Sequence, residues 1–330
     1  MKKIILPLVA VMFSLTACNW NDIKNLDYTQ NHPSFEESDP EGYALYLENI
    51  RDYKASEHPV MIVGFETISE EPHVQSQHIT SLPDSVDYVW LKNIKELHPR
   101  ILDEIKVCRE QKAMQFLADV NFDTMKQTWS AMQDAKEAEG KPLGSEEDFV
   151  KFVEESTKTE LAKCVDYELD GIVFTANGSA DKAQDKFIET VKNWHATNDF
   201  RTFIFRGGVK NISDVTALKF CKYLVVIGTE NTSTAKDLSS QVTRILGYNK
   251  EVPTDRVVVE VTVPNSEHPE QVGASPAVAA QWYLDNLKSR YYTPRGIVIA
   301  NVNDDYYRNE LDYENVRKAI TLMNEGLDKE

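Results

Sequence analysis

Short apolar runs alternate with amphipathic stretches along most of the chain. Pro59–Phe65, Val86–Leu91, Ala113–Val120, Ile172–Phe174, Arg201–Gly208, Tyr223–Thr229, Arg256–Val263 and Gly296–Asn303 are rich in β-branched and aromatic residues and predict eight strands. Several run apolar without alternation, the pattern of strands covered on both faces. Apolar positions recur at helical spacing in Tyr43–Tyr53, Pro99–Gln111, Glu147–Cys164, Lys182–His195, Ser213–Phe220, Ser233–Leu246, Ser275–Arg290 and Tyr313–Met323. A Lys/Glu-rich stretch reaching to about residue 146 is expected to be partly helical. Eight strands separated by helices predict an α/β fold, a (β/α)8 TIM barrel. A doubly wound open sheet has a similar rhythm. It would need a glycine-rich phosphate loop after its first strand, and Gly64-Phe65-Glu66-Thr67-Ile68 has a single glycine.

The first residues follow another pattern. Lys2 and Lys3 precede an apolar run from Ile4 to Leu15, and Leu15-Thr16-Ala17-Cys18 closes it. This resembles a bacterial lipobox, which implies cleavage before Cys18 and lipidation of its sulfur. Residues 1–18 then form a lipoprotein signal, 19–42 a polar tether and 43–330 the barrel. The expected location is a bacterial outer membrane, lipid-anchored and facing the cell surface. Cys108, Cys164 and Cys221 sit among core-type neighbours and predict buried thiols, with no zinc-site spacing.

With 330 residues, 42% of them hydrophobic, the chain can bury a full core. Its formal charge of −17 argues against nucleic acid, whose phosphates require Lys/Arg patches. A neutral ligand such as an uncharged glycan is compatible with it. No motif calls for a cofactor or metal.

Candidate chemistry gathers at the fourth strand. Asp170-Gly171-Ile172-Val173-Phe174-Thr175-Ala176-Asn177 places Thr175 and Asn177 where barrel active sites lie, at the strand's C-terminal end. The segment resembles the D-G-x-D-x-D-x-E motif of glycoside hydrolase family 18, the chitinases and endo-β-N-acetylglucosaminidases. Ser81-Leu82-Pro83-Asp84-Ser85-Val86-Asp87, Tyr46–Lys54 and Leu311–Asn324 resemble lipoprotein members from Bacteroides-type bacteria, in the right order. In active members the resemblance implies a final Glu as general acid and an Asp two before it that orients the substrate's N-acetyl group. This chain has Val173, Thr175 and Asn177 at the three acid positions. An amide has no titratable proton near neutral pH, so the family's hydrolytic step lacks its acid.

Binding can outlast catalysis. Aromatic faces and planar polar groups hold sugars, and Trp90, Asp119, Thr175, Asn177, Glu230, Asn301, Tyr306 and Tyr307 stand at or near predicted strand ends. Phe65, Phe122 and Asn303 lie there too. Glu66, Glu267 and Asp304 are further strand-end carboxylates, more simply solvated or hydrogen-bonded loop charges. Glu260, mid-strand, requires a buried partner, for which Arg206 is the candidate. Three functions compete. The first is a non-catalytic surface lipoprotein that binds N-acetylglucosamine-containing glycans and serves a transporter or other glycan-binding partners of an uptake system. The second is a hydrolase with a relocated acid, and the third a structural or assembly lipoprotein. A carboxylate near Asn177 in a deep cleft would favour the second.

Overall fold

The computed structural model describes residues 34–177, 180–209, 212–247, 249–265, 270–307 and 310–327. The signal segment, Cys18 and Glu267 lie outside them. The chain divides into two compact units, Met1–Tyr46 and Leu47–Glu330. In the first, part of the stretch expected to be tether is helical: α1 spans Phe35–Ser38 and α2 begins at Pro40 and ends at Ala55. Ser34 caps α1 through a capping box with Glu37. The Phe35 ring stands 5.7 Å from that of Tyr43.

The second unit is a closed barrel of eight parallel strands in sequential order. These are β1 Val60–Glu66, β2 Tyr88–Lys92, β3 Gln115–Asn121, β4 Gly171–Ala176, β5 Thr202–Gly207, β6 Tyr223–Ile227, β7 Val257–Val261 and β8 Pro294–Ile299. Closure brings β8 back beside β1, with Gly296 opposite Val60. Gly296 has φ +149°, and a Cβ there would lie 1.9 Å from the Val60 carbonyl oxygen, so the seam excludes any other residue.

Alternate strand residues face inward and outward. Ile62, Trp90, Leu117, Val173, Ile204, Val225, Val258 and Val298 fill the barrel interior. Phe65, Phe116, Phe174 and Phe205 point to the helical layer and join the larger core. That two-sided burial is why the strands read as unbroken apolar runs. Among the described residues Cys108, Cys164 and Cys221 are buried free thiols, and no helix is long and apolar enough to cross a membrane.

The helices are α3 Pro99–Lys112, α4 Phe122–Ala138, α5 Glu146–Asp166, α6 Lys182–His195, α7 Ala235–Leu246, α8 Pro276–Asp285 and α9 Glu314–Leu327. Three connections stand out. The β1–β2 link carries only 3-10 turns, Gln75–Gln77 and Ile79–Ser81. The expected helix over 213–220 is a 3-10 turn, Val215–Lys219, started by Asp214, whose carboxylate accepts from the Thr216 N–H at 2.9 Å. The Lys/Glu-rich stretch contains a full helix, α4, so β3 and β4 are joined by a helical pair. Asn121 is both the last residue of β3 and the N-cap of α4, accepting from the Asp123 and Thr124 N–H groups at 3.0 and 3.3 Å.

Candidate functional site at the barrel mouth

The barrel interior changes character toward the C-terminal ends of the strands. Apolar layers give way to Trp90, Asp119, Arg206 and Glu260. Glu260 is buried, and Arg206 reaches it across the barrel from β5. The guanidinium Nε and Nη2 donate to the two carboxylate oxygens at 2.5 and 2.7 Å. This is a bidentate, charge-assisted pair, the partner that a mid-strand Glu requires. Burial works against the Arg206 charge, but Glu260 outweighs it and raises the guanidinium pKa further.

Trp90 is enclosed, with 2% of its surface exposed. Its Nε1–H donates to Asp119 Oδ1 at 3.0 Å. The Arg206 guanidinium lies 5.0 Å from its ring centroid and the Lys92 ammonium 5.5 Å. The ring that the sequence offered as a stacking platform is therefore covered. Desolvation pushes the Asp119 carboxyl up to about 6, against the opposing pull of the Trp90 hydrogen bond and the Arg206 and Lys92 charges. Asp119 also forms part of the wall of a cleft of about 690 Å³, with Thr67, Asn93, Asn121, Thr124 and Lys163. A second cleft, about 440 Å³, opens over β6 and β7 and includes Glu230, Glu260 and Thr262. Of the sequence-selected binding residues, Asp119 lines the first cleft and Glu230 the second.

At β4 the side chains differ sharply in access. Val173 and Thr175 are buried, and the Thr175 Oγ1 has no hydrogen-bond partner among the described residues. Asn177 is exposed, and its backbone N–H donates to Asp123 Oδ1 at 3.3 Å. Gly207, at φ +141°, lets β5 end closely against it; a Cβ there would lie 2.2 Å from the Ala176 carbonyl oxygen and 3.0 Å from Asn177 Oδ1. Asp123 was not singled out from the sequence. Its signal was present as an Asn-Phe-Asp-Thr helix start, which reads as capping alone.

A model of glycoside hydrolase family 18, BT1044-like, matches residues 21–322. The chain belongs to this family. Its fold resembles a selenomethionine BT1044 carrying a Glu-to-Gln substitution, at TM-score 0.62 and 16% identity over 88% of this chain and 95% of that one. The apo endo-β-N-acetylglucosaminidase from Cordyceps militaris aligns at TM-score 0.56 and 15% identity, over 85% and 96% of the two chains. An Asp-to-Asn, Glu-to-Gln double mutant of that enzyme, in complex with fucosyl-N-acetylglucosamine-Asn, aligns at TM-score 0.57 and 15% identity over 84% and 95%. No curated protein matches the chain.

In this family 18 chain the remaining sequence-selected residues have these places. Glu230 is exposed. Asn301 is engaged in the loops, accepting from the Val263 N–H at 2.9 Å and donating to the Val263 carbonyl and Asp304 at 2.8 and 2.9 Å. Asn303 likewise brackets β1, accepting from the Glu66 N–H at 2.8 Å. Tyr306 packs edge-on against Tyr313 at 5.1 Å, while Tyr307 is 64% exposed. Phe65 and Phe122 are buried, the latter against Phe187 at 5.6 Å. Among the described residues no His/Cys/Asp/Glu group could hold a metal ion.

Proposed function

We propose that this chain is a glycan-binding member of family 18 that does not hydrolyse its ligand. The observation that carries the reading is the end of β4: an exposed amide, Asn177, stands where the family motif places its acid, and the inward positions Thr175 and Val173 are sealed. Asp119 pairs in register with Val173, four residues before Asn177. That is roughly 13 Å lower along the strand at about 3.3 Å per residue. Glu260 is committed to Arg206. Glycans containing N-acetylglucosamine are the ligand class to test first, because a family 18 endo-β-N-acetylglucosaminidase of this fold was captured with fucosyl-N-acetylglucosamine-Asn. The signal-like start with Leu15-Thr16-Ala17-Cys18 supports a lipid-anchored surface protein, and on this reading it serves a transporter or other glycan-binding partners of an uptake system. Incubation with a high-mannose or complex N-glycoprotein tests the first claim: oligosaccharide release above the buffer blank ends the non-catalytic reading. Calorimetric titration of the chain with the corresponding free oligosaccharide tests binding, which Asn177→Ala is expected to weaken.

A second reading rests on Asp123, whose carboxylate sits beside Asn177 on α4. It is a candidate relocated acid. Turnover by the native chain that disappears in Asp123→Asn, with binding retained, would establish it.

A further inference from the structure

The barrel's opposite end, where the strands begin, holds a cavity of about 430 Å³. This lies within the range of small-molecule sites, about 300–1,000 Å³. Its lining includes four basic side chains, Lys54, Lys222, Arg256 and Arg295, against three carboxylates, Glu57, Asp87 and Asp255. A local excess of positive charge is unusual in a chain whose formal charge is −17.

The carboxylates are already engaged. Asp87 accepts from His58 Nε2 and from the Met61 N–H, both at 2.8 Å. Asp255 accepts from its neighbour Arg256 at 2.7 and 3.2 Å, and Glu57 from Arg295 at 3.3 Å. The two lysines have no such partner. Among the described residues Lys54 donates to a backbone oxygen, that of Val86, at 2.5 Å. Lys222 Nζ lies 5.2 Å from the Tyr88 ring centroid and 5.9 Å from that of Tyr223, with no carboxylate in ion-pair range among the described residues. Two ammonium groups outside ion-pair range of any carboxylate among the described residues thus line one cavity, with Asp87 acting on both from a distance. Burial lowers the Lys54 ammonium to about 8 and also lowers that of Lys222, the state that an incoming anion would relieve. Between them, the Tyr88 and Tyr223 rings meet edge-to-face at 5.7 Å.

We propose that this cavity binds a small oxyanion, free or carried on a sugar-sized body, with Lys54 and Lys222 as its charge partners. Ammonium groups suit a phosphate- or sulfate-type ligand because they act as point charges without a fixed geometry. The site lies at the end of the barrel away from Asn177, so it is independent of the glycan reading. A ligand here acts from the face of a barrel that ordinarily serves stability.

Thermal shift and calorimetry on the full chain test it, with inorganic phosphate, sulfate, glucose 6-phosphate and glucose, at ionic strength held constant with sodium chloride. Saturable stabilisation by phosphate or sulfate is expected, with none from glucose. Tighter binding of glucose 6-phosphate than of phosphate assigns the site to a sugar-borne anion, and equal binding assigns it to the free ion. Lys222→Ala, at the exposed rim, is expected to weaken binding by about tenfold, as loss of one charge-assisted contact does. Lys54→Met should do the same, and Lys236→Ala, a surface lysine elsewhere, should change nothing. No saturable binding, or binding unchanged by Lys222→Ala, overturns the proposal. If Lys54→Met fails to fold, the Lys222 variant still decides.

Discussion

At Asp119, burial and hydrogen bonding act in opposite directions, and burial wins. The folded chain holds this proton up to about pH 6, whereas the ordinary value is 3.8. Between those values the native state binds more protons than the unfolded state. Stability therefore falls as pH rises through that interval and the contribution levels off above it. Asp119→Asn keeps an acceptor for Trp90 Nε1 and removes the buried charge. The variant is expected to gain on the native chain as pH rises from about 4 to about 7, reaching on the order of 1–2 kcal/mol at neutrality. Urea unfolding across that range measures it; a difference independent of pH would contradict the assignment. Asp119 was recognisable in the sequence as a strand-end carboxylate. Its coupling to Trp90 was not, because the two residues belong to different strands and meet only when β2 and β3 pair.

Among the elements, the Arg206–Glu260 pair ties β5 to β7 across the barrel. Glu260→Gln would leave a largely buried guanidinium without its bidentate partner, at a loss of about 3 kcal/mol. The double replacement Arg206→Met with Glu260→Leu removes both charges and should be much less damaging. Chemical denaturation of the two variants compares them, and equal losses would show that packing rather than charge governs the site. The start of α5 offers a smaller effect. Ser145 and Asp148 form a reciprocal cap, with the Ser145 N–H donating to Asp148 at 2.9 Å and the Asp148 N–H to Ser145 Oγ at 3.2 Å. Ser145→Ala is expected to lose about 1 kcal/mol in the same measurement. This cap was legible beforehand, since its residues are adjacent in sequence. So was the need of Glu260 for a partner. The 3-10 turn at Val215–Lys219 was not, because a five-residue apolar segment carries too little periodicity to distinguish it from a helix.

For the whole molecule, charge and ligand chemistry connect. On the proposed reading, a chain of formal charge −17 that holds a neutral glycan at the Asn177 amide should do so with little salt dependence. Calorimetric affinity is expected to change by less than about twofold between roughly 0.05 and 0.5 M sodium chloride, since screening acts on charged pairs. A steep salt dependence would indicate a charged ligand instead. The barrel's eight-strand rhythm was set by sequence alone, because two-sided burial writes each strand as an apolar run. So was the presence of Val173, Thr175 and Asn177 where the resemblance implies acids, a matter of residue identity. Only the tertiary structure decided which side chains meet. Closure of β8 on β1 turned strand-end residues from separate elements into a common mouth. Pairing of neighbouring strands enclosed Trp90 against Asp119, buried Thr175, tied Asn301 to Val263 and Asn303 to Glu66, and brought Asp123 beside Asn177. Those outcomes depend on distances between strands, and local pattern in a sequence records burial and turn chemistry but not the neighbours that a closed sheet supplies.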